Sequence, residues 1–343
     1  MGVEGGVGSL GPYTPSLPPV NSSVACRRAP SIDAPAPPPT FPSVSDLTRF
    51  ALRIHYDGSA FHGWQLQARE RTVQGEVEAV FQQITGSRRP VVASGRTDRG
   101  VHAHGQVASV DIPTGRWDSR RLRRSLNALL PREVWVERVW QVSSTFHPRF
   151  DARRRTYLYR LGLQHAAGSP FHRSWCWDVS DDPPDPDLLQ VGANLIPGDR
   201  SFRRFAKAGQ PERGERCHVH AAGWESWDGP GIQFRITADR YLHHMVRYLV
   251  GTLVEVGRGQ RPLDELTELL EVPETHLRTS PPAPPEGLFL HRVEYDTDLF
   301  RDAQDRDPPA PDGRRRETTP VPVQAKGAAR QSPPREPNPP ENE

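Results

Sequence analysis

Cysteine is scarce in this chain, and its placement excludes more than its number does. Three of 343 residues are cysteine, Cys26, Cys176 and Cys217, far apart in sequence. They form no Cys-x-x-Cys pair and their count is odd, which argues against a disulfide framework or a zinc ribbon. A reducing, cytoplasmic setting is the default expectation. Long apolar runs are missing too. None approaches the ~20 residues of a membrane helix, so no membrane partner is expected. The N-terminus has no basic start followed by an apolar core, so no secretory leader is expected. Glu4, Asp33 and the scarcity of arginine there argue against a transit peptide. Net charge is small, +2, and carries no bulk signal for nucleic acid. Charge is local instead. Arg120, Arg121, Arg123 and Arg124 crowd one stretch, and Arg149, Arg153, Arg154, Arg155 and Arg160 another. Either cluster is a solvated basic face or a surface for an anionic partner.

Proline is abundant, 37 residues, and uneven: ten lie in residues 1–47 and ten in 301–343. Those ends also lack a sustained apolar period and read as disordered tails. The remainder divides into an N-terminal domain, residues 48–145, and a C-terminal domain, residues 146–300.

Periodicity organises that core. Phe50, Leu52, Ile54 and Tyr56 alternate with polar or small residues and predict a strand. Thr72 can cap a helix with Val73, Val77, Val80, Phe81 and Ile84 on one face, ended by Gly86. A second helix runs through Leu122, Leu126 and Leu129 to Pro131, and Val134–Val142 is a strand. Strand, helix, strand, strand, helix, strand is the split βαβ, ferredoxin-like order. The second half repeats the rhythm. A strand is predicted over 157–163, a helix around Leu188–Val191, and a hairpin about Asp228-Gly229-Pro230. A helix over 243–256, another over 263–270 and a last strand through Leu288, Leu290 and Val293 follow.

Between two short apolar runs lies Ala93-Ser94-Gly95-Arg96-Thr97-Asp98-Arg99-Gly100-Val101-His102-Ala103-His104-Gly105-Gln106, predicted as a loop. It sets one carboxylate, Asp98, between Arg96 and Arg99. Cations nearby favour the ionised carboxylate, which suits a nucleophile or charge stabiliser aimed at an anionic substrate. Taken alone, an aspartate in such a loop more often caps a turn or pairs with an arginine. His102 and His104, with Asp98, His243 and His244, also admit a metal reading. The second shell that such a site needs has no visible counterpart, so none is expected.

The longer string Gly-Arg-Thr-Asp-x-Gly-Val-His-Ala resembles the catalytic motif of the tRNA pseudouridine synthase A family. Further blocks resemble it in order: Tyr56-Asp57-Gly58-Ser59, Asn127-Ala128-Leu129-Leu130-Pro131, Phe146 to Ala152, Arg155-Thr156-Tyr157-Leu158-Tyr159, His243 to Arg247 and Glu286 to Leu290. They cover about residues 50–296. The resemblance implies an α+β pseudouridine synthase fold, two ferredoxin-like halves with a joined sheet and a central cleft. It implies an isomerase that converts uridine to pseudouridine in the anticodon stem-loop of tRNA, at tRNA positions 38, 39 and 40. The alternative kept beside it is a non-catalytic tRNA-binding protein of the same fold. The family needs no metal and no cofactor, and its members are homodimers. Matched residue by residue, Asp98 is the implied catalytic nucleophile. Arg96 fills the gap left by a flipped nucleotide, Tyr157 stacks on the flipped base, and Arg247 pairs with the carboxylate.

Overall fold

The protein is described by a computed structural model over residues 47–207, 214–272 and 274–296. The proline-rich ends read above as tails, all but Leu47, and residues 297–300 lie outside the described residues. Strand β1 (Leu47–Tyr56) buries Phe50, Leu52, Ile54 and Tyr56, as their alternation predicts. Helix α1 (Val73–Thr85) starts where the Thr72 hydroxyl accepts from Gly75 N and stops at Gly86, whose φ of 77° is left-handed. Strand β2 (Val92–Ala93) is short. Strand β3 (His102–Pro113) begins four residues earlier than the end of the predicted loop, so His102 to Gln106 belong to the sheet. Helix α2 (Ser119–Leu129) is capped by Asp118 and leads into β4 (Val134–Val142), which matches its predicted limits.

In the second half, β5 (Arg154–Gly162) starts three residues before the prediction. Strand β6 (Trp177–Asp178), helix α3 (Pro186–Asn194) and strand β7 (Gly198–Ser201) follow. Strands β8 (Arg216–Ser226) and β9 (Gly231–Ala238) form the hairpin, and α4 (Met245–Gly257), α5 (Leu263–Glu271) and β10 (Leu288–Glu294) follow it among the described residues.

The two halves share one ten-stranded sheet in the order β4-β1-β3-β10-β5-β9-β8-β7, with β2 beside β3 and β6 beside β5. The last strand is the seam. It runs parallel to β3 through Phe289 and Leu290 and antiparallel to β5 through Leu288 to Glu294. Two apolar cores lie along the sheet. One gathers β1, α1, α2 and β4 side chains such as Phe50, Leu52, Phe81 and Leu126. The other gathers Tyr159, Phe202, Phe205, Leu249 and Leu253. The seam strand feeds both: Leu290 and Val293 belong to the first core and Leu288 to the second. Tyr157, on β5, packs against both.

Candidate active site

The Asp98 loop leaves β2 and returns on β3, and its backbone is held from three sides. Ser94 N–H donates to Val107 O at 2.7 Å. The buried Gln106 amide donates to Gly95 O at 2.8 Å, while Ser94 Oγ donates to Gln106 Oε1 at 2.8 Å. Thr97 Oγ1 and the buried Tyr56 hydroxyl stand 2.7 Å apart. From the segment after β1, Trp64 N–H donates to Thr97 O at 3.0 Å. Gly63 makes this approach possible: its φ is 93°, and a Cβ there would lie 2.7 Å from Thr97 O. Gly58 is tighter still, since its Cβ would lie 2.0 Å from Val101 O. His102 is buried, accepts from Gly58 N–H at 3.0 Å and stacks on Phe289. It shapes the loop and takes no place beside Asp98. His104 likewise turns away, packing on Phe289, and burial lowers its imidazole to about 4.

The second half reaches the same loop through Arg155. Its guanidinium, 9% exposed, donates to Ser94 O at 3.0 Å, Arg149 O at 2.9 Å and Asp239 O at 2.9 Å. One side chain therefore ties the start of the loop to the connection between halves and to the end of β9.

Asp98 itself is partly exposed, and its carboxylate meets two histidines. His243 Nε2 lies 3.3 Å from Oδ1 and His244 Nε2 lies 3.2 Å from Oδ2, and the side-chain exposures are 31%, 45% and 17% in the order Asp98, His243, His244. All three donor groups fall within 4.8 Å of one another. His244 is the N-cap of α4 with φ 65° and ψ 5°, the one non-glycine residue with positive φ among the described residues. That conformation costs about 1–3 kcal/mol and persists where the surroundings impose it. Burial lowers the His244 imidazole below its ordinary value, against the pull of Asp98, which raises it. The sequence grouped these histidines with Asp98 only in the metal reading set aside above; their direct contact with the carboxylate is what the structure adds. The signal was present in two adjacent histidines immediately before α4.

The expected pair between Asp98 and Arg247 is not formed. Arg247 Nε donates instead to Ala283 O at 2.6 Å, and Ala283 N–H returns a bond to Arg247 O at 2.9 Å. The reason is geometric. Arg247 lies in the first turn of α4, where its guanidinium reaches the carbonyl of the segment preceding β10, while His243 and His244, outside the helix, reach the loop. Arg247 still acts on His244 by its charge. Neither Arg96 nor Arg99 forms an ion pair with Asp98 among the described residues. Arg96 is exposed, and there no hydrogen bond or ion pair holds its guanidinium.

Tyr157 lies on β5, its ring edge-on to Tyr241 at 4.9 Å between centroids. Burial pushes its phenol up to about 12, with Arg155 lowering it and Asp98 raising it. At neutral pH the phenol keeps its proton. Tyr159, two residues on, is fully buried and donates to Pro284 O at 2.8 Å, a structural role.

Comparison with known proteins adds an independent finding. A family profile described as tRNA pseudouridine synthase matches residues 53–151 and 193–296. The chain is 37% identical over 257 residues to "tRNA pseudouridine synthase A" of Syntrophomonas wolfei, covering 74% of this chain and 99% of that protein. It is 38% identical over 258 residues to the protein of that name from Cereibacter sphaeroides, covering 74% and 100%. It is 38% identical over 250 residues to that of Moorella thermoacetica, covering 71% and 98%.

Proposed function

The chain belongs to the tRNA pseudouridine synthase family, and from that premise we propose that Asp98 catalyses isomerisation of uridine in the anticodon stem-loop of tRNA, at tRNA positions 38, 39 and 40. The reaction class, a tRNA uridine isomerase, follows from the family. The residue roles and the stem-loop target are our reading. The observation that carries it is the contact of Asp98, from the first half, with His243 and His244 from the second.

The chemistry balances on the substrate alone. The bond from uracil N1 to C1′ breaks, the base turns, and C5 joins C1′. The C5 proton is lost and N1 regains one. Leaving of the base builds positive character at the sugar, as in glycoside cleavage, and a carboxylate answers it by charge or by attack at C1′. Attack at C6 of the base is the other route open to the same oxygen. Either needs the nucleotide out of its stack, at a cost of a few kcal/mol. Arg96, exposed and unheld, is placed to fill the gap. Tyr157 supplies an aromatic face, and stacking is worth ~1–3 kcal/mol per base. Arg247 acts through the Ala283 carbonyl and the field at His244, one step away from the carboxylate. Residues 48–145 and 146–300 serve as the two halves of this site. As in the resemblance, we read the working form as a homodimer in the cytoplasm; light scattering checks the first and fractionation the second.

The test is a tRNA transcript carrying tritium at uridine C5. Tritium release supports the isomerase, and tRNA binding without release supports the non-catalytic alternative. Asp98→Asn should bind tRNA yet release less than about a thousandth of the wild-type tritium rate. Turnover near wild type in that variant removes Asp98 from its role.

A further inference from the structure

The carboxylate and the two imidazoles at the mouth of the site make a donor set of a second kind. We propose that Asp98, His243 and His244 bind a divalent transition-metal ion of the zinc class, and that the bound ion reversibly shuts the site by occupying the carboxylate.

The geometry carries this. Zinc takes imidazole nitrogen at about 2.0–2.1 Å and carboxylate oxygen at about 2.0–2.2 Å. Donors at those lengths stand roughly 3.3–3.6 Å apart at tetrahedral angles and roughly 2.8–3.1 Å apart at right angles. His243 Nε2 stands 3.3 Å from Oδ1 and His244 Nε2 3.2 Å from Oδ2, so each nitrogen lies at such a separation from one oxygen of the carboxylate. The remaining separations stay within 4.8 Å. Both imidazoles present Nε2 to the carboxylate, so both present a ligand atom to an ion beside it. Exposure supplies the entry path, with His243 45% exposed. The left-handed backbone at His244 fixes the second ligand before any ion arrives. Two imidazoles and one carboxylate leave further positions open on the ion, and the set suits zinc and its neighbours better than magnesium or calcium, which prefer oxygen.

The ion's effect follows from which atoms it covers. The isomerisation requires a carboxylate oxygen to face the sugar or the base, and an ion held by that carboxylate withdraws it. This metal is an inhibitor and no part of the reaction, so chelation restores activity. Loss of activity on chelation belongs to the opposite case, a metal-dependent nuclease. The inhibition rests on the role proposed for Asp98; the binding does not.

The experiment uses the full chain with Cys26→Ser, His218→Ala and His220→Ala. These changes remove a cysteine outside the described residues and the adjacent histidine pair on β8 as competing ligands. Cysteines 176 and 217 are buried and stay. Cobalt(II) is titrated without RNA and followed by its visible absorption, then displaced with zinc. One ion per chain is expected, and Asp98→Asn or His243→Ala/His244→Ala should each abolish the band. In the tritium assay, saturating zinc should cut the rate at least tenfold and EDTA should restore it. The site is refuted by no band at millimolar cobalt, or by a band that survives either variant. The inhibition is refuted by an unchanged rate at zinc levels that fill the site. A protein that releases no tritium under any condition defeats the functional reading alone, and the cobalt titration still decides the site.

Discussion

Arg155→Met puts the seam between the halves to a direct test. The side chain is 9% exposed and its three hydrogen bonds all end on main-chain carbonyls, those of Ser94, Arg149 and Asp239. A hydrogen bond from a charged donor contributes about 1.5–3 kcal/mol, and an acceptor left buried without a partner costs about 1–3 kcal/mol. Methionine keeps most of the apolar stem and escapes the desolvation cost of the guanidinium, which offsets part of the loss. The net expectation is a destabilisation of about 3 kcal/mol. For a chain of this size that corresponds to roughly 6–12 °C in the melting temperature. The kinetic signature is more telling. Ser94 sits four residues before Asp98, and a displacement of about 1 Å at a reacting group costs on the order of 10²-fold in rate. Turnover of tritiated tRNA should therefore fall by about that factor while KM changes little, because Arg155 faces main chain and not solvent. Arg155→Lys reaches one carbonyl at best and should fall between the two. Thermal melts and saturation kinetics on the three proteins decide it. A Met variant with both the melting temperature and kcat of the wild type would show that the loop holds its position without this side chain.

Three further outcomes follow from the geometry. Gly58→Ala would set a Cβ 2.0 Å from Val101 O, a main-chain atom that cannot move aside cheaply, so urea unfolding should show a loss of at least about 2 kcal/mol. His244→Gly removes both the imidazole at Asp98 and the strained φ of 65°; turnover should drop while the melting temperature does not, since glycine accepts that backbone freely. His104 should make the fold acid-sensitive. Its native imidazole titrates at about 4 against an ordinary 6.5, so below pH 6.5 the unfolded chain takes up a proton that the native one refuses. Stability is then fully present above pH 6.5 and falls as pH drops toward 4, and His104→Gln should flatten that part of the profile in denaturant titrations at stepped pH.

Much of this architecture could be read from residue order because local signals and the global fold agree. Thr72 and Gly86 bound α1 by capping chemistry that needs no partner, and the Asp228-Gly229-Pro230 turn declares the β8–β9 hairpin in the same way. The start of β3 could not be read so. His102 to Gln106 is rich in glycine and histidine, a loop composition, and becomes strand because β1 on one side and β10 on the other supply its hydrogen bonds. The site divides along the same line. Asp98 and Tyr157 stand in contiguous strings, and the loop does present the aspartate. Its partners were a question of reach. Arg247 carries the stronger charge, yet its place in the first turn of α4 sends it to Ala283, and the two imidazoles just outside the helix take the carboxylate. Nothing in the order of residues ranks an arginine against a histidine three positions away; the direction of the helix entry does.

The position of β10 also has a bearing on time. A ribosome releases β3 and β5 long before it releases residues 288–294, yet those two strands are neighbours only through the last one. Until it arrives, each half carries a raw strand edge, and raw edges invite pairing with other chains. The first core lacks Leu290 and Val293 over the same interval and the second lacks Leu288. The nascent chain therefore has no half-working stage. The strand that carries Tyr157 and the strand that follows the Asp98 loop are joined by this strand, so the site waits on the synthesis of residues 288–294.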